Sequence, residues 1–136
     1  MKQSSFRYLG AVDLLLAGVL LAGFGLDTLG SPQVGLLLSA GVAAVAAGSL
    51  AELSVGPVTV PWRWFAAATY VLLGVLPPVG LLPPLVAGPA SAPVAEAALF
   101  VVACVGAAAM LFVGVDVARG GEHLEVTPDV ERVVGR

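Results

Sequence analysis

Apolar residues fill four long segments of the chain, and short stretches rich in glycine and proline separate them. The segments cover residues 8–29, 33–55, 62–86 and 93–118. A hydrocarbon core of about 30 Å needs about 20 apolar residues in a helix, so each segment is long enough to cross a membrane. The pattern predicts an all-α membrane protein, a four-transmembrane-helix bundle, followed by a short polar cytoplasmic tail at residues 120–136.

The breaks between segments carry helix-end signals. Ser31 and Pro32 suit the N-cap and first helical position of the second segment. Gly56-Pro57 and Pro61 predict a loop before the third segment.

The third segment contains Pro77-Pro78. Proline removes an amide donor and clashes with the preceding turn, so a helix bends or ends there. The pair predicts a hinge, at which the third helix kinks and then continues irregularly toward residue 86.

The first two segments resemble the last two, which predicts that the chain is an internal repeat of one helical hairpin. Residues 7–54 match residues 63–114, and both copies begin with arginine and an aromatic residue. The identities within the first 14 positions are Arg7/Arg63, Ala11/Ala67, Leu16/Leu72, Gly18/Gly74, Val19/Val75 and Leu20/Leu76. Because both copies begin on the same side of the membrane, the repeats are expected to be parallel, about an axis near the membrane normal.

Small residues recur every four positions in the second segment, at Ala40, Ala44 and Gly48. In lipid, small residues let helix backbones approach closely. The spacing predicts packing within the bundle, with an oligomer interface as the alternative.

The chain carries too little charge for a soluble domain: 11% of its residues are charged and 59% are hydrophobic. With four crossings every basic residue falls on one side, and these residues are Lys2, Arg7, Arg63, Arg119, Arg132 and Arg136. The positive-inside rule then predicts a multi-pass protein of the plasma membrane with both termini in the cytoplasm. The predicted partner is the lipid bilayer, and a homo-oligomer or a larger membrane complex is the further partner considered. The chain has no basic patch, so no nucleic acid is expected as a partner.

Asp13 is the most interesting acidic residue, because a carboxylate inside a membrane span is costly and points to a functional site. The alternative is a structural ion pair near the interface with Arg63 or Arg7, which begin helices on the same side. Glu96 stands near the start of the fourth segment, where the helix dipole favours an acid. Glu52 and Asp116, at the inner ends of their segments, are expected to join an interfacial ring of ion pairs.

The segments lack the residue groups of an enzyme or a cofactor protein. Cys104 and His123 are the single cysteine and the single histidine, so no metal, haem or redox cluster is expected. The sequence therefore predicts a protein that is not an enzyme and has no cofactor.

The tail offers one helix signal, Thr127-Pro128-Asp129, with Val130, Val133 and Val134 on one face of a short helix. A helix this short is unstable by itself. The tail is therefore expected either to fray or to dock on another surface.

In length and helix number the chain resembles the small multidrug transporters. Their membrane-embedded glutamate lies near the middle of the first helix, whereas Asp13 lies nearer the helix end. The first functional hypothesis is a structural, assembly or accessory subunit. The alternatives are a small transporter or channel subunit that uses Asp13 and the proline break, and a membrane anchor that acts through the tail.

Overall fold

The computed structural model describes residues 1–86, 94–121 and 123–134. Within these residues, four helices are long and apolar enough to cross a membrane. Their bounds are Phe6–Phe24 (α1), Pro32–Ser49 (α2), Trp62–Val86 (α3) and Val94–Arg119 (α4). At about 1.5 Å per residue, even the shortest helix rises about 27 Å, close to the thickness of a hydrocarbon core. The predicted class, a mostly helical membrane protein with four potential spans, is confirmed.

The helices pack in chain order. α2 lies between α1 and α3, and α3 lies between α2 and α4, while α1 and α4 make little contact in the described part of the chain. Ala40, Ala44 and Gly48 of α2 are all buried, as their spacing predicted. A Cβ atom added at Gly48 would collide with the backbone of Arg7, so glycine at this position lets α1 and α2 meet.

Helix ends follow local sequence signals. Ser31 Oγ accepts a hydrogen bond from the Val34 amide at 3.4 Å, and Pro32 is the first residue of α2, as predicted. At the end of α4, the Gly121 amide donates to the Asp116 carbonyl and the Gly120 amide donates to the Val117 carbonyl. This is the Schellman arrangement, and it needs the positive φ of Gly120, 124°.

A small sheet corrects the all-α prediction. Glu52–Val55 (β1) pairs with Val58–Pro61 (β2) in an antiparallel hairpin, so α2 ends at Ser49 instead of continuing to residue 55. The two-residue turn places Gly56 at a φ of 60°, which glycine adopts without strain. Valine and threonine favour extended backbone, so the predicted loop is a hairpin instead.

The tail is extended and pairs with the rest of the chain, which corrects the helix that Thr127-Pro128-Asp129 predicted. Val133–Val134 (β3) pairs in parallel with β1, and Thr127 bridges to Lys2. Pairing supplies backbone hydrogen bonds between segments, whereas an isolated single helical turn has too few bonds to offset its entropy cost. The sheet order among the described strands is β2-β1-β3.

α3 stays helical through Pro77-Pro78 and up to Val86, which corrects the irregular backbone predicted after the proline pair. Residues 87–93, which include the predicted loop between the last two spans, lie outside the described residues. The kink at the proline pair stays a prediction.

Candidate functional site

Side-chain hydrogen bonds between residues far apart in the sequence gather at one end of the bundle, which we call the sheet end. It is formed by the start of α1, the end of α2, the start of α3, the end of α4, and the sheet. A core of Phe6, Ala47, Trp62 and Val117 joins the four helices there. The basic residues described by the structure belong to this end: Lys2, Arg7, Arg63, Arg119 and Arg132. Arg136 lies outside the described residues.

Gln3 closes the end of α2. Its side chain is fully buried, and Nε2 donates to the Ala47 carbonyl at 2.9 Å and to the Leu50 carbonyl at 2.8 Å. The Ala51 amide, which would bond the Ala47 carbonyl in a continuing helix, instead donates to the Arg132 carbonyl. Gln3 therefore replaces a helical hydrogen bond that is lost where the chain turns into β1.

The N-terminus and the tail hold each other. The Ser4 amide donates to Asp129 Oδ1 at 2.8 Å, and Ser4 Oγ donates to Asp129 Oδ2 at 2.6 Å. Backbone bonds join Gln3 to Thr127 and Thr127 to Met1. The two hydrogen bonds from Ser4, chiefly the one from its hydroxyl, lower the pKa of the Asp129 carboxyl below its usual value.

We expect tail docking to weaken in acid. A lowered folded-state pKa means that ionised Asp129 stabilises the docked tail above pH 3.8, the usual pKa. The stabilisation is lost as the pH falls through the folded pKa. Limited proteolysis of the tail, measured from pH 7 to pH 2.5, should show cleavage rising below about pH 4.

Asp129→Asn should raise tail cleavage at pH 7 and flatten its acid dependence, because the neutral amide no longer titrates. Glu131→Gln, a change in an exposed acid of the same tail, is the control. Equal acid dependence in wild type and Asp129→Asn would show that another group controls docking.

Asp116 holds the start of the tail against α4. Its carboxylate accepts hydrogen bonds from the amides of His123, at 3.2 Å to Oδ2, and Leu124, at 3.0 Å. The His123 ring, through Nδ1, lies 3.1 Å from Asp116 Oδ1. The sequence predicted that Asp116 would join an interfacial ring of ion pairs. It instead makes these contacts with the residues that follow the helix.

Asp13 lies inside the bundle. It shares a face of α1 with the buried residues Phe6, Gly10 and Ala17, and Gly10 meets α2 on this face. Asp13 is 5% exposed, and its Oδ2 atom has no hydrogen-bond partner among the described residues. Thr69, its counterpart in the predicted repeat, is also buried and donates to the Phe65 carbonyl.

The structure does not join Asp13 and Arg63 in an ion pair. The Arg63 guanidinium lies 6.0 Å from the centre of the Trp62 ring, and Nη1 lies 3.4 Å from the position that a Cβ atom at Gly120 would take. Arg63 is the second residue of α3 and is drawn to the negative end of the α4 dipole. Asp13 lies about two turns into α1, whereas Arg63 lies in the first turn of α3.

Glu96 is in the first turn of α4, as predicted, and is far along that helix from the sheet end. Its Oε2 atom is buried and has no hydrogen-bond partner among the described residues. No group of three metal-ligating side chains occurs within the described residues. Asp13, Arg63 and Glu96 are therefore dispersed over the bundle.

Sequence reasoning missed Gln3 and Ser4. Both precede the first helix in a polar stretch that looks solvated, and nothing near them in the chain marks a long-range contact. The Thr127-Pro128-Asp129 signal placed Asp129 in the first turn of a short helix, whereas the structure places it in an extended tail that accepts hydrogen bonds from Ser4.

Comparisons with known proteins give one match. The model of a family of unknown function, DUF7994, covers residues 1–130. No curated protein and no solved structure matches the chain. Since the family match spans nearly the whole chain, including all four helices and the docked part of the tail up to residue 130, the protein belongs to the family of unknown function DUF7994.

Proposed function

We propose that the protein is a non-enzymatic membrane subunit with a structural, assembly or accessory role, and that it associates laterally with itself or with a larger complex. The observation that carries the proposal is the exposure of α4. Only 11% of an apolar 18-residue stretch of α4 is buried, against 39% of the corresponding stretch of α2. Within the described residues, α4 packs mainly against α3 and leaves a long surface exposed to a second helix.

Small residues on α4 support this role. Gly106 is exposed, and a Cβ atom added there would meet nothing within 4 Å. Ala98 and Ala109 are exposed as well. Helices associate in lipid through close backbone approach, because apolar side chains gain little by leaving lipid tails.

We further propose that the chain is a duplicated hairpin with a hinge at Pro77-Pro78 and that both termini face the cytoplasm. The concentration of basic residues at the sheet end supports this orientation. The exposed Tyr8 and Trp64 near the same end suit a membrane interface, where amphipathic rings are favoured.

Gly106→Leu should weaken lateral association. The added side chain projects from α4 without touching the protein's own fold, so its effect falls on a neighbouring molecule. We expect a shift toward the monomer in size-exclusion chromatography with light scattering, or loss of the co-purifying complex. Gly18→Leu is the matched control, since Gly18 of α1 is also exposed and has no atom within 4 Å of an added Cβ. A wild-type protein that is monomeric and captures no partner would contradict the proposal.

The alternative function is a small transporter or channel subunit that uses Asp13. It rests on a single observation, the burial of Asp13 with an Oδ2 atom that has no hydrogen-bond partner among the described residues. A membrane carboxyl group without a local partner is available to bind and release a proton or a cation.

Asp13→Asn separates the two functions. The accessory role predicts that the variant inserts, folds and associates like wild type. Transport predicts that a proton- or cation-dependent flux, measured in proteoliposomes with a pH-sensitive dye, is present in wild type and abolished in Asp13→Asn. Thr69→Val, a change at the equivalent position of the other hairpin, is the control.

A further inference from the structure

We propose that the groove between α3 and α4 binds an anionic phospholipid, with an acyl chain in the groove and the headgroup phosphate between Arg119 and Arg63. This inference goes beyond the accessory role and does not depend on it. The groove is lined by Trp64, Ala68 and Leu72 of α3 and by Gly114, Val115 and Ala118 of α4.

The groove exists because small residues lie between larger ones. Gly114 approaches α3 so closely that an added Cβ atom would lie 3.1 Å from the Ala67 carbonyl oxygen. Trp64, which is 59% exposed, forms one wall at the sheet end. The eight helical steps from Trp64 to Leu72 rise about 12 Å, close to the depth of one leaflet's hydrocarbon layer, about 15 Å.

Positive charge stands at the sheet end of this groove. Arg119 follows the groove residue Ala118, and Arg119 and Val115 share a second surface with His123. Arg63 precedes Trp64, and its Nη1 atom lies beside Gly120 at the end of α4. Both arginines therefore lie at the sheet end of α4, Arg119 as its last residue and Arg63 with Nη1 beside Gly120, at the level where helices of this length reach the headgroups.

Asp116, which lines the same surface as Arg119, does not neutralise this charge. Asp116 is 8% exposed, and its oxygens accept hydrogen bonds from the amides of His123 and Leu124. Its charge is thus directed at the tail, while Arg119 is exposed. Arginine binds phosphate oxygens in a bidentate manner, and an apolar groove leading from two arginines matches a lipid that carries negative charge.

The test is native mass spectrometry of the full chain in detergent, titrated with phosphatidylglycerol or with phosphatidylcholine of the same acyl chains. Wild type should bind phosphatidylglycerol more tightly. Arg119→Gln and Arg63→Gln should each reduce that preference by about fivefold, as expected for one basic residue near a lipid headgroup. Arg132→Gln, which removes an exposed arginine from the tail, is the charge-matched control and should leave the preference unchanged.

Ala68→Leu fills the groove and should weaken binding of both lipids, whereas Ala108→Leu on the exposed part of α4 should not. Inorganic phosphate should not displace the lipid, because it cannot occupy the groove. Equal affinity for the two lipids in wild type, or equal effects of Arg119→Gln and Arg132→Gln, would overturn the proposal. Dissociation of a dimer by Ala68→Leu with lipid binding intact would assign the groove to a second copy instead.

Discussion

Replacing Gly10 with alanine is expected to lower the free energy of unfolding by about 1–3 kcal/mol, the usual range for an overpacked core. A Cβ atom at Gly10 would lie 2.6 Å from the Gly41 carbonyl oxygen and 2.7 Å from the Val45 amide nitrogen. Both are backbone atoms of α2, so no side chain can rotate away to make room. α1 and α2 must separate along their shared face, which also contains Asp13.

The matched control is Gly18→Ala, two turns further along the same helix. Gly18 is exposed, and a Cβ atom there would meet nothing within 4 Å. Alanine is a better helix former than glycine by about 0.5–1 kcal/mol, so this variant should be slightly more stable than wild type. Replacing glycine with alanine in α1 should thus lower the free energy of unfolding at position 10 and raise it at position 18. Denaturation of the purified protein in mixed micelles, followed by circular dichroism, measures both, and equal effects would show that α1 and α2 do not approach closely at Gly10.

Replacing Gln3 with leucine is expected to be the second large effect. Leucine has a similar volume but donates no hydrogen bond, so the carbonyls of Ala47 and Leu50 lose their partner. An unpaired buried polar group costs about 1–3 kcal/mol. The second carbonyl should add less, because its hydrogen bond is only partly buried. Gln3→Glu should also destabilise at neutral pH, since a carboxylate cannot donate to a carbonyl.

Gln33→Leu at the opposite end of α2 is the control for Gln3, because Gln33 is half-buried and lies away from the sheet. Unfolding should be monitored together with proteolysis of the tail. Loss of the hydrogen bonds from Gln3 to the end of α2 disturbs the turn from α2 into β1, and β1 is the strand with which β3 pairs. We therefore expect Gln3→Leu to expose the tail as well as to lower stability, and a stability loss without tail exposure would mean that the cap and the sheet are independent.

The position of the helices was predictable from the sequence because hydrophobic length is a local property. Each span needs only its own apolar residues, and the lipid supplies the environment that a soluble protein must build from distant segments. Ser31-Pro32 marked the start of α2 for the same reason, since the hydrogen bond from the Val34 amide to Ser31 joins residues three positions apart.

The sheet end was less predictable because its contacts span almost the whole chain. Ser4 and Asp129 are 125 positions apart, and Gln3 and Ala47 are 44 apart. The β1–β2 hairpin was local, but its residues followed an apolar helix without a clear boundary. In the sequence alone, Thr127-Pro128-Asp129 fits the start of a helix. Only the folded chain brings the Ser4 amide and hydroxyl to Asp129.

Four apolar helices long enough to cross a membrane, basic residues grouped at one end of them, and the small-residue face of α2 could all be predicted from the sequence. These properties follow from side-chain polarity and spacing along one segment. Three features became visible only in the folded chain: Gln3 closes α2, the tail pairs as a strand, and Arg63 lies beside the end of α4 instead of pairing with Asp13. Each of these depends on which backbone groups remain unpaired when distant segments meet, and that is set by packing in three dimensions.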